Sequence, residues 1–193
     1  LGMGMKRVLV SSASGVTALG DLKTTFSALN MGHGGIAEVK RFPTDKYISK
    51  VAACLPALDE ELRPSRFSAL LSLILQGFDP VPQDARLFTA TTKAGVDILE
   101  GALKGRGDNL ADALPQAMEE DVRRRLGISK PGCLISAACA SSTIALARAT
   151  MAIAQGTTDA AIVVCADLVT EFVFSGFSAL RALSAESCRP FDR

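Results

Sequence analysis

Residues 133–156 constrain the fold more than any other part of this 193-residue chain. The centre of the stretch, residues 145–154, is hydrophobic nearly all round and built largely of small side chains. A helix of that kind has no solvent face, so it is expected to lie buried between layers. Ahead of it, Cys133-Leu134-Ile135-Ser136 follows the turn Pro131-Gly132 and reads as a short buried strand. Ile144, Leu146, Ala147, Met151, Ala152 and Ile153 stay apolar up to Gly156, which has the position of a C-cap residue. A buried strand that passes through a tight connection into a buried helix belongs to a layered α/β architecture.

The connection itself is Ala137-Ala138-Cys139-Ala140-Ser141-Ser142-Thr143. A cysteine at a strand-to-helix junction faces backbone N–H groups that have no intrahelical partner. Those donors and the helix dipole favour a thiolate over a thiol and make the sulfur a better nucleophile. The same donors suit the oxyanion of an attacked thioester. A small cysteine packed in a tight helix–sheet contact fits the local pattern as well.

The rest of the chain alternates between strand and helix signals. Residues 6–12 read as a first strand. Asp21 is placed to cap a helix over Leu22, Phe26 and Leu29, which ends at the glycines of residues 32–35. Residues 63–76 carry Phe67, Leu70, Leu71, Ile74 and Leu75 at helical spacing. A second strand is expected over residues 84–91 and a helical turn or two over 94–103. A charged helix over 109–126 is stopped by Gly127, and a fourth strand covers 159–164. Strands alternating with helices predict a mainly parallel sheet covered on both faces.

Composition narrows the function classes. The net charge is +1, which gives no broad field for nucleic acid or an anionic membrane. The most apolar long stretch, residues 51–75, is interrupted by Pro56, Pro64 and several charges, so no membrane span is expected. No signal-peptide pattern is visible at the start. Cys54, Cys133, Cys139, Cys165 and Cys188 are odd in number and show no CxxC spacing. That usage predicts a reducing, cytoplasmic setting with no metal site and no disulfide frame.

Four segments carry a resemblance. Ala138-Cys139-Ala140-Ser141-Ser142 resembles the active-site segment of the β-ketoacyl-acyl-carrier-protein synthases, the thiolase-fold condensing enzymes. Gly176-Phe177-Ser178-Ala179-Leu180-Arg181-Ala182-Leu183-Ser184 is similar to that family's loop after the next strand. Arg189-Pro190-Phe191-Asp192 resembles the segment that closes its N-terminal half, and Val16-Thr17-Ala18-Leu19-Gly20 its opening turn. The resemblance implies a thiolase-like α/β fold with a layered, mainly parallel sheet and a buried nucleophile helix. It implies that residues 1–193 form one N-terminal synthase domain, with the C-terminal half lying outside this chain. Such a half is expected to expose a large apolar face and to be poorly soluble or to associate non-natively by itself.

The implied reaction is acyl transfer from an acyl carrier protein onto Cys139, followed by decarboxylative condensation with a malonyl thioester. No cofactor is implied, and the family works as a homodimer. The resemblance also implies that Phe177, and more weakly Val173, line the acyl channel. Arg63 and Arg66 begin a helix where the family carries basic residues that meet the acidic carrier. The histidines and lysine of the second stage belong to the family's C-terminal half. The one histidine here, His33, lies in a Gly-rich loop and is expected to be an ordinary loop residue.

Some positions depart from the family. Thr91-Thr92-Lys93-Ala94-Gly95 replaces the commoner Gly-Thr-Gly-like turn, Cys165-Ala166-Asp167 stands where paired glycines are usual, and the span between Gly101 and Cys139 is short. Two alternatives stay open: a non-condensing chain-length partner, which usually lacks the cysteine, and a thiolase-fold enzyme that uses acyl-coenzyme A.

Overall fold

A computed structural model describes residues 6–60, 65–76, 78, 80–107, 109–186 and 188. The chain divides into two compact units, each assembled from two stretches. Ser14–Ile74 with Leu168–Arg193 make a hairpin unit, and Leu1–Ala13 with Leu75–Asp167 make a sheet unit.

The hairpin unit opens with β1 (Val16–Thr17) and β2 (Gly20–Asp21), antiparallel with Val16 opposite Asp21. Helix α1 (Leu22–Asn30) follows at once, because the Asp21 carboxylate accepts from the Thr24 N–H at 2.7 Å. A second hairpin pairs β3 (Ala37–Glu38) with β4 (Val51–Ala52). Helix α2 (Arg66–Leu75) buries Phe67, Leu70 and Leu71, which lie three and four residues apart on one face.

Arg41 ties these short pieces together. Its side chain is 2% exposed and its Nη2 lies 2.8 Å from Asp59 Oδ1. The same guanidinium donates to the carbonyls of Leu55 at 2.9 Å and Val169 at 3.2 Å. The planar fork makes four hydrogen bonds in all, two of them to Asp59, which is more than the three donors of an ammonium supply. Beside it, Phe42 and Tyr47 each meet Phe174 edge to face, at 5.4 and 5.2 Å between ring centres.

The sheet unit holds β5 (Arg86–Ala90), α3 (Val96–Leu103), α4 (Pro115–Leu126), β6 (Cys133–Ile135), α5 (Ser141–Ala154) and β7 (Ala161–Cys165). Its three strands are all parallel, in the order β6-β5-β7. Phe88 stands opposite both Cys133 and Val163, and Ala90 opposite Ile135 and Cys165. Phe88, Ala90 and Ile135 pack with Ala145, Ala149 and Ala152 of α5. On the other side of β5, Leu87 and Thr89 are fully buried, and α4, which packs on β5 and β6, buries Met118 and Val122. The chain returns to the hairpin unit through α6 (Glu171–Ala179), capped by the Thr170 hydroxyl on the Val173 N–H.

Most predicted elements form, with instructive differences. The expected strand over residues 6–12 is not a strand. Leu9 and Val10 are 71% and 83% exposed, and the backbone bond recorded for the segment runs from Lys6 N–H to the Ala154 carbonyl. Without a neighbouring ladder, strand propensity has nothing to act on. The single helix expected over 109–126 is instead a 3-10 turn, Leu110–Ala113, followed by α4. Pro115 forces Leu114 into an extended conformation (ψ 145°) and then starts the new helix as its first residue. Gly127 ends α4 in the left-handed region at φ 66°, as its position suggested. The segment read as a loop from Gly176 begins as the last turn of α6. Helix α5 is buried along its sheet face, whereas Leu146 and Met151 on other faces are 54% and 53% exposed. Among the described residues no helix is long and apolar enough to cross a membrane.

Two stability predictions follow from these contacts. Asp59→Ala would strand the Arg41 guanidinium in the interior, and a loss of about 3 kcal/mol is expected, read from the urea unfolding midpoint. In α4, burial pulls the Asp121 carboxyl upward, but hydrogen bonds from Arg125 and Arg124 outweigh it and leave it below its ordinary value. A lowered folded value contributes stability above the unfolded value and loses it as the pH falls through the folded one. The stability gap between wild type and Asp121→Asn should therefore be full at pH 6 and close below about pH 4. A gap independent of pH would refute the ion-pair account of α4.

Candidate active site at the Cys139 loop

The carboxyl ends of three parallel strands meet at one edge of the sheet unit, where open α/β sheets place their ligands. The ladder runs on past the strands there: the Thr91 N–H donates to the Ile135 carbonyl, and the Ala166 N–H to the Ala90 carbonyl. Three loops leave from this edge, at residues 91–95, 136–140 and 166–167.

The middle loop carries Cys139, which is exposed. Ala138, just before it, has φ 49°, a left-handed conformation that costs an alanine about 1 kcal/mol. The Ser141 hydroxyl offsets that cost. It accepts from the Ala137 N–H at 2.8 Å and donates to the Ala138 carbonyl at 2.7 Å. The Ser141 N–H reaches the same carbonyl at 3.1 Å. The N-cap position of α5 is Ala140, which has no side-chain acceptor, so no side chain caps this helix start. The positive end of the α5 dipole is thus left facing the loop that holds the thiol.

The flanking loops are joined by Asp167. Its Oδ1 accepts from the Thr92 N–H at 2.8 Å, the Thr91 hydroxyl at 3.1 Å and the Lys93 N–H at 3.2 Å. Its Oδ2 accepts from the Thr92 hydroxyl at 2.9 Å. That hydroxyl also lies 3.4 Å from the Ala138 carbonyl. The turn is closed by the Ala94 N–H on the Thr91 hydroxyl at 2.8 Å, and Ala94 is itself left-handed at φ 47°. Two strained alanines at one strand edge, each held by a hydroxyl, mark a built loop cluster.

The cysteines of the sheet unit differ sharply. Cys133 and Cys165 are half-buried and pack against the core beneath α5. Burial, with the Asp167 charge adding to it, pushes the Cys165 thiol above its ordinary value. Cys139 alone of the three is exposed, and it sits at the helix start.

The other expected site residues lie in the hairpin unit. Val173 and Phe177 are one turn apart on α6 and line the same pocket of about 630 Å³, with Val51, Val169, Phe174 and Leu183 among its walls. Its size and apolar lining suit a small apolar ligand. Arg66 begins α2 and its Nε donates to the Leu58 carbonyl at 2.9 Å. Arg63 and the Arg189-Pro190-Phe191-Asp192 segment lie outside the described residues. His33 is exposed on the loop after α1. Among the described residues no three His, Cys, Asp or Glu side chains are grouped to hold a metal ion.

Known proteins share the fold, and a family model matches the segment that carries the loop. Residues 110–193, which include the Cys139 loop, match the β-ketoacyl synthase N-terminal domain family. The computed structure superposes on a β-ketoacyl synthase from Burkholderia phymatum with a TM-score of 0.71 at 23% identity, over 97% of this chain and 55% of that one. The fold is that of a ketosynthase N-terminal half. The ishigamide ketosynthase/chain length factor gives a TM-score of 0.72 at 21% identity, over 92% of this chain and 51% of its own. The ketosynthase AntDE, solved with its acyl-carrier protein AntF, gives 0.69 at 19% identity, over 90% and 48%. In sequence, Nodulation protein E of Rhizobium leguminosarum bv. trifolii is 28% identical over 134 residues, which are 69% of this chain and 31% of that protein. This chain therefore spans about half the length of the ketosynthase structures it matches. The family resemblance and thiolase-like fold read from four short segments are borne out.

Sequence reasoning quoted Ser141, Thr92 and Asp167 without giving them roles. A threonine pair and an aspartate directly after two strands of one parallel sheet were the available signal. Their pairing across 75 residues was not visible without the sheet order.

The cysteines should separate under iodoacetamide with peptide mapping near neutral pH. Cys139 is expected to react first, at least about tenfold faster than Cys133 and Cys165, because it is exposed while they are half-buried against the core. Equal rates at all three would refute the assignment.

Proposed function

We propose that this chain supplies the nucleophile half of a condensing enzyme, in which Cys139 takes an acyl group from a carrier-protein thioester. The observation that carries the reading is the exposed Cys139 at the uncapped start of α5, in a loop held by Ser141 and braced by Thr92 and Asp167.

The chemistry of the first stage balances with these groups. The Cys139 thiolate adds to the thioester carbonyl and forms a tetrahedral oxyanion. The start of α5 presents the positive end of its dipole to the negative charge that develops on the oxyanion. Collapse breaks the bond to the carrier's sulfur, which leaves as a thiolate and takes a proton from solvent. The product is an acyl-thioester on Cys139. In the second stage a malonyl thioester loses carbon dioxide, and its carbanion forms a carbon–carbon bond to the acyl carbonyl. The bond to Cys139 breaks, which releases the Cys139 thiolate and a 3-oxoacyl thioester on the carrier. On the strength of the family resemblance, the groups that assist decarboxylation are read as belonging to that family's C-terminal half, and His33 is an exposed loop residue remote in sequence from Cys139.

Phe177 and Val173 are proposed as contacts for the acyl chain, supported by the apolar pocket they share. Arg63 and Arg66 are proposed as contacts for an acidic carrier, and AntDE offers the precedent of a ketosynthase held with its carrier protein. A cytoplasmic homodimer with residues 1–193 acting as one N-terminal domain completes the reading, on the strength of the family resemblance.

Intact-mass measurement after incubation with acyl-carrier protein tests it, beside Cys139→Ala. A gain of one acyl group in the wild type, absent in the variant, is expected. No adduct on folded wild-type protein would favour the chain-length-partner reading. An adduct from acyl-coenzyme A but not from the carrier would favour the third class of enzyme.

A further inference from the structure

We propose that Ser141 is a positioning residue for Cys139, with Thr92 and Asp167 as its outer brace. The inference rests on the reading of Cys139 as the acyl acceptor.

A serine at the start of a helix ordinarily spends its oxygen on its own helix, accepting from an N–H two or three residues ahead. Ser141 does the reverse. It is 4% exposed, and its hydroxyl turns back onto the preceding loop. There it takes the Ala137 N–H at 2.8 Å and gives its proton to the Ala138 carbonyl at 2.7 Å. With oxygen and hydrogen both committed, one rotamer is fixed.

The carbonyl it holds belongs to the Ala138–Cys139 peptide. Because a peptide unit is planar and trans, fixing that oxygen also fixes the direction of the Cys139 N–H, which points the opposite way. The Ser141 N–H donates to the same oxygen at 3.1 Å, and the Thr92 hydroxyl oxygen lies 3.4 Å from it, so the hydroxyl and the N–H of Ser141 hold it from one side. The Cys139 N–H is therefore turned away from the buried Ser141 side. Ala138 pays for that orientation with its left-handed backbone.

The Thr92 hydroxyl has one proton, and the Asp167 carboxylate at 2.9 Å is the nearer acceptor. Thr92 therefore acts chiefly as a fixed wall against Ala138, held in place by Asp167. Ser141 makes the short bonds. Removing its hydroxyl leaves the Ala137 N–H without its acceptor and leaves the Ala138 carbonyl to the longer 3.1 Å bond from the Ser141 N–H, which loosens the peptide that carries Cys139.

The test compares Ser141→Ala with the hydroxyl-keeping Ser141→Thr, and Thr92→Val with Thr92→Ser. Acyl transfer from the carrier is followed against donor concentration. Ser141→Ala is expected to lower the maximal acylation rate by roughly tenfold to a hundredfold, with the half-saturating donor concentration unchanged. Ser141→Thr should recover most of the loss, and Thr92→Val should show a smaller loss that Thr92→Ser reverses. Slow alkylation of Cys133 and Cys165 reports that the sheet is intact. Wild-type rates in folded Ser141→Ala overturn the proposal. If Ser141→Ala exposes Cys133 and Cys165, Thr92→Val decides instead, and a wild-type rate there overturns it. If the wild type takes no acyl group at all, the function reading fails, and the iodoacetamide rate of Cys139 decides the positioning question separately. A rate unchanged between Ser141→Ala and wild type then overturns it, and a drop of similar size supports it.

Discussion

The parallel ladder along both edges of β5 is the interaction on which the sheet unit depends. Each of its residues from Phe88 to Ala90 is matched to β6 on one side and β7 on the other. A strand paired on both edges satisfies its backbone groups internally, so its residues can be buried on both faces without orphaned backbone donors. Leu87 and Thr89 on one face and Phe88 and Ala90 on the other are buried accordingly. The register also sets the chemistry. Because the three strands run the same way, their loops leave together, and Thr92, Ala138 and Asp167 are brought into one hydrogen-bonded group.

The hairpin unit is organised differently. Its strands are two residues each, too short to bury a core by themselves. A buried guanidinium and a cluster of aromatic rings fill the role that a long ladder fills elsewhere. Arg41 reaches Asp59, Leu55 and Val169, and Phe174 meets both Phe42 and Tyr47. The ring cluster and the walls of the apolar pocket share Phe174, so packing and pocket are one structure.

Legibility in the sequence followed the range of each interaction. The Asp21 cap, the Gly127 stop and the strand before Cys139 depend on neighbours within a few residues, and all were readable. Pro115 was equally local, and its break was missed because helical periodicity on either side masked it. Residues 6–12 have the composition of a strand, yet whether they form one depends on a partner ladder that no local pattern encodes. The candidate cysteine stood out because small residues around a cysteine before an apolar helix make an uncommon combination. Its supports were not. Ser141 looks like any helix-start serine, and Asp167 reaches Thr92 across 75 residues.

Helix α5 meets the sheet through Ala145, Ala149 and Ala152, and Ala145 is fully buried. Methyl groups let a helix lie closer to a sheet than larger side chains would, and the contact distance then sets the height of everything the helix carries. The location of the thiol is in this sense written in missing volume. One added carbon beneath α5 would act as a shim, tilting its first turn and lifting Cys139 out of line without touching a residue of the loop. Precision at this loop is thus inherited from a layer of the interior that has no chemistry of its own.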